Sequence, residues 1–523
     1  MATAPSTPSP TAATVLPPRF ADAELTYNRP LSATENGFLS QRGVHGGLDL
    51  FTILKIDFPA GINITDDRLT WALTVLRLRN PLIASKVSYA SPTPHVVYAH
   101  PLTEVHAARE AGACLEFATF DDIDSAGKAL HDRLAGVDPH YILDVRNSLI
   151  SVVWSKGVGP AAGKYILGMQ CPHFILDGRR LLSLVRQFIE LLADSGRAQA
   201  ELARRFNSPV KLPESLESFV PDLSTCSADE VEKGKAAYED VMKWSSQSLS
   251  GLRPDGSLQG TKVSPRLLRH TWSQSDTSAI LRACKSQAVT ITQLILASMA
   301  IAAVPSDRND AGTSVALGET SSPSDEADDS YYFHITLPVD LGTRIQKPAD
   351  NDEGSALIIS TYPVFIRIPK SIRPNAPDMA AIWPVAQECK ERSKTWIESP
   401  YFWHLNSRYM MYVYGTMFDL AAGKPALPSC SSLGDCTKLL PSRYPVASSG
   451  NGTDASSEGT GGEIRIADMV VGGKPNGMNM VINMWTFDGK FNLQLRHNSL
   501  RMSDALVDSY FSCIIDVVTR AGA

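Results

Sequence analysis

The sequence predicts an α/β protein with mixed sheets, organised as two large units. Three observations lead there. Short runs rich in β-branched and aromatic residues alternate with helical periodicities along the chain. At 523 residues the chain exceeds what a single hydrophobic core usually organises. A polar stretch containing Pro and Ser at 208–262 separates two regions of the same α/β character. The expected division is a disordered tail at 1–20, an N-terminal domain at 21–207, a linker at 208–262 and a C-terminal domain at 263–523.

The elements follow in order. The tail MATAPSTPSPTAATVLPPRF is too poor in apolar residues to offset its ordering entropy. The run LDLFTILKIDFP within 47–59 reads as a buried strand. A helix is expected over 66–79, with Thr65 as its cap. Strands follow at 95–98, 149–155 and 165–171. A helix over 178–193 places Leu181, Leu182, Val185, Phe188, Ile189 and Leu192 on one face, with Asp177 as cap and Gly196 at the stop. The second unit opens at 266–272 and continues with helices near 276–287 and from about 292. Strands are expected at 334–339, 360–368, 462–471, 478–486 and 491–497, then a closing helix at 503–518. Asp488-Gly489 is the best tight-turn signal, because that pair accepts positive φ. Segments 305–330 and 442–461 read as mobile insertions.

Composition narrows the function classes. Lys+Arg 49 against Asp+Glu 55, with no basic block, argues against nucleic acid as a partner. The eight cysteines form neither a C-x-x-C pair nor a zinc-spaced cluster, so reduced thiols, no metal site and a cytoplasmic location are expected. The N-terminal stretch lacks the apolar core of a signal peptide, and no 18-residue apolar run suggests a membrane span. The sequons at Asn63 and Asn451 are read as chance.

Chemistry concentrates at Cys171-Pro172-His173-Phe174-Ile175-Leu176-Asp177-Gly178. The His-x-x-x-Asp spacing occurs three times, also at His45/Asp49 and His140/Asp144, the latter within an expected strand. Only His173 combines a preceding buried strand, a following Gly and a downstream amphipathic helix. A general base at a strand end can expose its imidazole to substrate while backbone fixes its orientation. Asp177 can hold the turn by accepting backbone N–H bonds or pairing with an arginine. Gly178 removes a side chain where something must pass closely. Spacing alone favours the plainer alternative, a packed core histidine with Asp177 as a helix cap.

The motif resembles the His-x-x-x-Asp-Gly signature of the CoA-dependent acyltransferase superfamily, which includes chloramphenicol acetyltransferase, plant BAHD acyltransferases and nonribosomal-peptide condensation domains. Leu337-Pro338-Val339-Asp340-Leu341-Gly342-Thr343-Arg344 is similar to that superfamily's Pro-Val-Asn/Asp-Leu-Arg-x-Arg stretch. Ser431-Ser432-Leu433-Gly434 resembles the strand that faces the catalytic histidine. The likeness runs from about residue 24 to the end. With Lys394-Thr395-Trp396-Ile397-Glu398-Ser399-Pro400-Tyr401 and the late Trp-x-x-Asp-Gly pair of strands, it is most similar to fungal enzymes of trichothecene 15-O-acetyltransferase type. The plant-type Asp-Phe-Gly-Trp-Gly motif is absent, the doubled histidine of condensation domains is Pro172-His173, and Gly342 replaces the first Arg of the Leu-Arg-x-Arg stretch.

The resemblance implies two chloramphenicol-acetyltransferase-like domains forming a pseudo-dimer with an active-site tunnel between them. It further implies His173 as general base, Asp177 as a structural residue paired with Arg344, and Ser431 or Ser432 as oxyanion donor. The plainer alternatives are an exposed loop arginine and a polar strand end. No bound cofactor is implied; acyl-CoA, as acetyl-CoA, is a co-substrate. The expected function is O-acylation of a secondary-metabolite hydroxyl, a terpenoid alcohol, by a monomer. The alternatives are a sugar hydroxyl of a glycolipid, or a catalytically silent binding module. The absence of Gly-x-Ser-x-Gly argues against a serine hydrolase.

Overall fold

The structure, a computed structural model, describes residues 25–59, 64–136, 141–206, 210–245, 248–249, 252, 264–304, 330–345, 356–372, 379–419, 428–446, 462–475 and 480–523. The expected tail at 1–20 and most of the two expected insertions lie outside these residues.

The first half runs β1 (Thr26–Pro30), α1 (Ala33–Arg42), β2 (Leu50–Asp57), α2 (Asp66–Arg79), β3 (Lys86–Ser88), β4 (His95–Ala99), α3 (Glu104–Gly112), β5 (Leu115–Phe120), α4 (Ile123–Ala135), β6 (Ser151–Gly157), β7 (Lys164–Cys171), α5 (Gly178–Ala193) and α6 (Ser195–Phe206). Then come α7 (Ala228–Met242), β8 (Ser248–Leu249), β9 (Pro265–Thr271), α8 (Gln274–Ser286), α9 (Ile291–Ala302), β10 (Ser330–Asp340), β11 (Ile359–Pro369), α10 (Met379–Ile397) and α11 (Phe402–Asp419). The chain closes with β12 (Ser429–Asp435), β13 (Arg443–Pro445), β14 (Glu463–Gly473), β15 (Val481–Phe487), β16 (Lys490–Asn498) and α12 (Asp504–Ala521).

Two large mixed sheets result. The first has the order β13-β14-β2-β7-β6-β5, with only β5 and β6 parallel. The second has the order β11-β10-β12-β15-β16-β9, with β8 beside β10. Its parallel pairs within that order are β10–β12 and β12–β15. Strand β4 belongs to neither, joining β1 and β3 in a small sheet. Each large sheet has its own core: Leu54, Leu76, Phe174 and Phe188 sit in the first, Trp396, Tyr409, Phe333 and Leu493 in the second. No helix among the described residues is long and apolar enough to cross a membrane.

Local sequence explains several of these elements. Helix α2 begins where the Thr65 hydroxyl accepts the Arg68 N–H, with Asp66 and Asp67 in its first turn and Arg77 and Arg79 in its last, in line with the helix dipole. Helix α5 buries the whole expected apolar face from Leu181 to Leu192. It ends at Asp194 rather than Gly196, because Asp194 accepts the Arg197 N–H at 2.9 Å and starts α6, which contains Gly196. The Asp488-Gly489 turn has φ of +47° and +74° and closes the β15–β16 hairpin.

Several expectations need amendment. The 208–262 stretch contains α7, opened by a Ser227/Glu230 capping box, whose Tyr238 and Val241 pack on the second core. Gly234 lets α7 approach α11, since a Cβ there would stand 2.7 Å from His404 Cβ. Residues 141–144 are not a strand. Asp144 instead accepts the Arg146 N–H in a turn, and His140 lies outside the described residues. The chain also crosses between halves: β14, late in sequence, pairs antiparallel with β2, placing Ile466 opposite Ile56.

That exchange makes a specific prediction. Ile466 is fully buried in the first core. Ile466→Ala is expected to cost about 2–5 kcal/mol and to speed amide hydrogen exchange along residues 50–57 while leaving 330–340 protected. Unchanged exchange at 50–57 would contradict the pairing.

Candidate active site

Strand β7, in the middle of the first sheet, delivers the chain to Cys171, and Pro172 stops the ladder by removing an N–H donor. Phe174, Ile175 and Leu176 are buried in the first core and pin the turn. His173 alone in this run keeps some access to the cavity, its ring set against Phe38 of α1 at a centroid distance of 4.6 Å. The Leu176 carbonyl lies 3.0 Å from His173 Nδ1. A carbonyl only accepts, so Nδ1 carries the hydrogen and Nε2 keeps its lone pair. Burial holds the imidazole below its ordinary pKa of 6.5, against the raising effect of its hydrogen bonds and Asp177; the charge of Arg496 adds to the lowering. The ring is therefore neutral near pH 7.

Asp177 caps α5 and does more. Its Oδ1 accepts from Arg179 N at 3.0 Å and Arg180 N at 3.2 Å, while Oδ2 accepts from Arg180 Nη1 at 2.7 Å. The same Nη1 donates to Asp340 Oδ1 at 3.0 Å across to β10 of the second half. Asp340 Oδ1 also accepts the Gly342 N–H at 2.9 Å, and Arg179 Nε stands 3.4 Å from Oδ2. Partial burial disfavours the Asp340 carboxylate, yet the Gly342 N–H and the two arginines hold its pKa below the usual value. Burial likewise opposes the Arg180 charge, and Asp177 and Asp340 outweigh it.

This corrects the expected ion pair. Arg344 does not reach Asp177. It is exposed, lies 4.1 Å over the Phe402 ring and donates to the Ile397 carbonyl at 2.5 Å. The partner of Asp177 is Arg180, one helical turn away on α5 and so on the right face. Gly342 now has a reason: a Cβ there would lie 2.9 Å from Arg180 Nη2 and 3.1 Å from Asp340 Oδ1. A side chain at 342 and Arg180 in its present place exclude one another.

His173 opens on a cavity of about 260 Å³ between the halves. The first half contributes Phe38, Leu50, His173 and Gly178; the second contributes Thr336, Ser431, Ser432, Asn483 and Arg496, with Gly472 and Gly473 from the crossing β14. Both candidate serines thus share the cavity with the histidine. Ser432 Oγ is 3.0 Å from Thr292 Oγ1 at the start of α9. Gly178 is held close to β12, as a Cβ there would meet Leu433 Cδ2 at 3.0 Å. Asn483 and Arg496 were not singled out by sequence, because isolated polar residues in apolar strands carry no motif. A larger cavity of about 610 Å³ lies between α4 and β9, but its charges pair among themselves, as in Arg269–Asp468. The other motif histidine, His45, precedes an Asp49 that is buried and paired with Arg42 at 2.6 Å, a structural contact.

No protein-family model matches the sequence, and no curated protein does. Solved structures do match the fold. TRI3, a trichothecene 15-O-acetyltransferase from Fusarium sporotrichioides, superposes with a TM-score of 0.73 at 16% identity, covering 95% of this chain and 96% of that one. The first condensation domain of CDA synthetase gives 0.59 at 12%, covering 95% and 96%. The starter condensation domain of rhizomide synthetase RzmA, solved in complex with C8-CoA and Leu-SNAC, gives 0.57 at 10%, covering 95% of each chain. The chain has the two-domain α/β fold shared by this acetyltransferase and the condensation domains.

The revised ion pair is testable by comparison. Arg180→Met leaves Asp177 buried without its cation and is expected to cost about 3 kcal/mol, read as a lower thermal midpoint. Arg344→Met loses a surface contact and is expected to cost under about 1 kcal/mol. The reverse ranking would restore Arg344 to the role.

Proposed function

We propose that the chain is an acyl-CoA-dependent O-acyltransferase that acylates a hydroxyl of a secondary metabolite, with acetyl-CoA as donor and a terpenoid alcohol as acceptor. The observation that carries this reading is the His173 ring, which lines the cavity between the halves with Nδ1–H bonded to the Leu176 carbonyl, so that Nε2 is the nitrogen with the lone pair. A neutral imidazole in that tautomer suits a base for an incoming hydroxyl. The fold shared with an acetyltransferase, and with a condensation domain solved with C8-CoA, supports the same reading.

In this scheme Nε2 takes the hydroxyl proton as the oxygen attacks the thioester carbonyl. The carbonyl π electrons move to oxygen, giving a tetrahedral oxyanion that Ser431 or Ser432 receives by O–H donation. On collapse the C–S bond breaks, the ester carbonyl re-forms, and Nε2–H returns its proton to the CoA thiolate. No acyl-enzyme is required, and Cys171 is unsuited to one because burial drives its thiol pKa well up. Asp177 stays outside the proton path, occupied by the helix N-terminus and Arg180.

His173→Ala is expected to lower kcat/KM for CoA release with an alcohol acceptor by about 10²–10⁴-fold with an unchanged thermal midpoint. Undiminished transfer would remove the proposed base, and absence of transfer to any alcohol or sugar by folded wild-type protein would favour a silent binding module. Because burial lowers the His173 pKa, protonation inactivates the base only below the ordinary value. The acid limb of kcat/KM is therefore expected below pH 6.5, and a limb above it would contradict the assignment. Whichever serine donates to the oxyanion, its Ala variant is expected to lose roughly 10²-fold or more in kcat.

A further inference from the structure

The cavity contains a charge that the transfer scheme does not use. Arg496, on β16, is 6% exposed and lines the cavity. Its one hydrogen bond among the described residues runs from Nη1 to the Lys474 carbonyl at 3.2 Å, and its Nε is buried with no acceptor. The other arginines of the lining are matched: Arg180 by Asp177 and Asp340, Arg179 by Asp340. Those are the lining's two carboxylates, so Arg496 is left over. Burial lowers its pKa to about 10, which still leaves the guanidinium charged at neutral pH.

A buried cation with no counter-charge is costly unless something supplies one. The backbone has been shaped around this side chain. A Cβ at Gly473 would stand 2.5 Å from Arg496 Nη1, so glycine there leaves the guanidinium room in its present place. Beside it on the same sheet face is Asn483, two residues beyond the Val481 that pairs with Arg496. The Asn483 Oδ1 is also buried without a partner; it only accepts, so it is the Nδ2 of the same amide that can donate to an anion beside the cation. The Nε left without an acceptor belongs to the side-on fork whose two donors match the two oxygens of a carboxylate.

We propose that Arg496, with Asn483 beside it, is a carboxylate-binding subsite, so that one of the two reactants carries a carboxylate. This rests on the transferase reading for there being two reactants. The part of a CoA thioester near its reacting carbon is an uncharged pantetheine arm with the phosphates far behind. The anion at Arg496 therefore belongs either to the acceptor, an alcohol that also carries a carboxylate, or to the acyl group, a dicarboxylic half-thioester that would take the place of acetyl-CoA as donor.

Calorimetric titration of the full chain separates the sources, with malonyl-CoA against acetyl-CoA in one arm and 3-hydroxybenzoate against its methyl ester in the other. In one arm the carboxylate probe is expected to bind about 10- to 100-fold tighter than its neutral counterpart, the worth of a buried charge-assisted hydrogen bond. Arg496→Gln is expected to erase that preference and Arg496→Lys, which keeps a charge but not the fork, to retain part of it. Equal binding within each pair for wild type overturns the proposal whatever the variants do, as does a preference that survives Arg496→Gln. The same titrations on His173→Ala separate the two readings. A carboxylate preference intact there, with no CoA release by wild type from any pair, would sink the transferase reading and leave the subsite standing.

Discussion

One guanidinium, that of Arg180, fixes the geometry on which the site depends. Its Nη1 bonds at once to Asp177, four residues after His173, and to Asp340 on the far sheet. Asp177 is thereby committed four ways, to two helix amides, to the cation and to the Ile358 N–H of the second half at 3.5 Å, and the turn carrying His173 is tied both to its own helix and to the opposite half. In a partly buried setting such charge-assisted bonds are strong and directional. A slide of one half against the other would have to break them, together with the Ile358 N–H bond to Asp177, so the ion triad helps hold the turn of His173 in place against the second half.

The electrostatics of the cavity follow from how its charges are distributed. Where carboxylate and guanidinium are matched, around Asp177, Arg180 and Asp340, they serve shape. Deeper in, burial and the positive charge of Arg496 act in one direction on His173, both disfavouring a protonated ring. A base used at neutral pH benefits from that, while an anion entering the cavity gains from the same unbalanced charge. The apolar walls from Phe38 and Leu50 strengthen both effects by limiting screening.

Much of this was legible in the sequence where the signal was local. The apolar face of α5, the Asp177 cap, the Asp488-Gly489 turn and the strand ending at Cys171 follow from periodicity and turn chemistry. Partnership across the chain was not. Arg344 stood in the stretch that resembled a family motif, whereas Arg180, one of two arginines in the first turn of α5, belongs to no motif. Only the close approach of Gly342 explains why the nearer arginine takes the role. Helix α7 was hidden by Pro- and Ser-rich flanks. Helix α11, with its many aromatic residues, has a poor intrinsic helical signal, and α10 carries Pro384 in its second turn; the two pack through Trp396 and Tyr409. Asn483 and Arg496 acquire meaning only when the β15–β16 register and the crossing of β14 bring them to one wall.

That crossing also constrains how the polypeptide can reach its final form. Strand β2 is flanked on one side by β7 and on the other by β14, whose residues are made more than 400 positions later. While a ribosome is still extending the chain, β2 presents an open, apolar rim, the kind of template that recruits stray strands. That edge of the first sheet stays without its native partner until residues 463–473 have been made. The cavity beside His173, whose wall includes Gly472 and Gly473 of that late strand, can close only after that strand has been made.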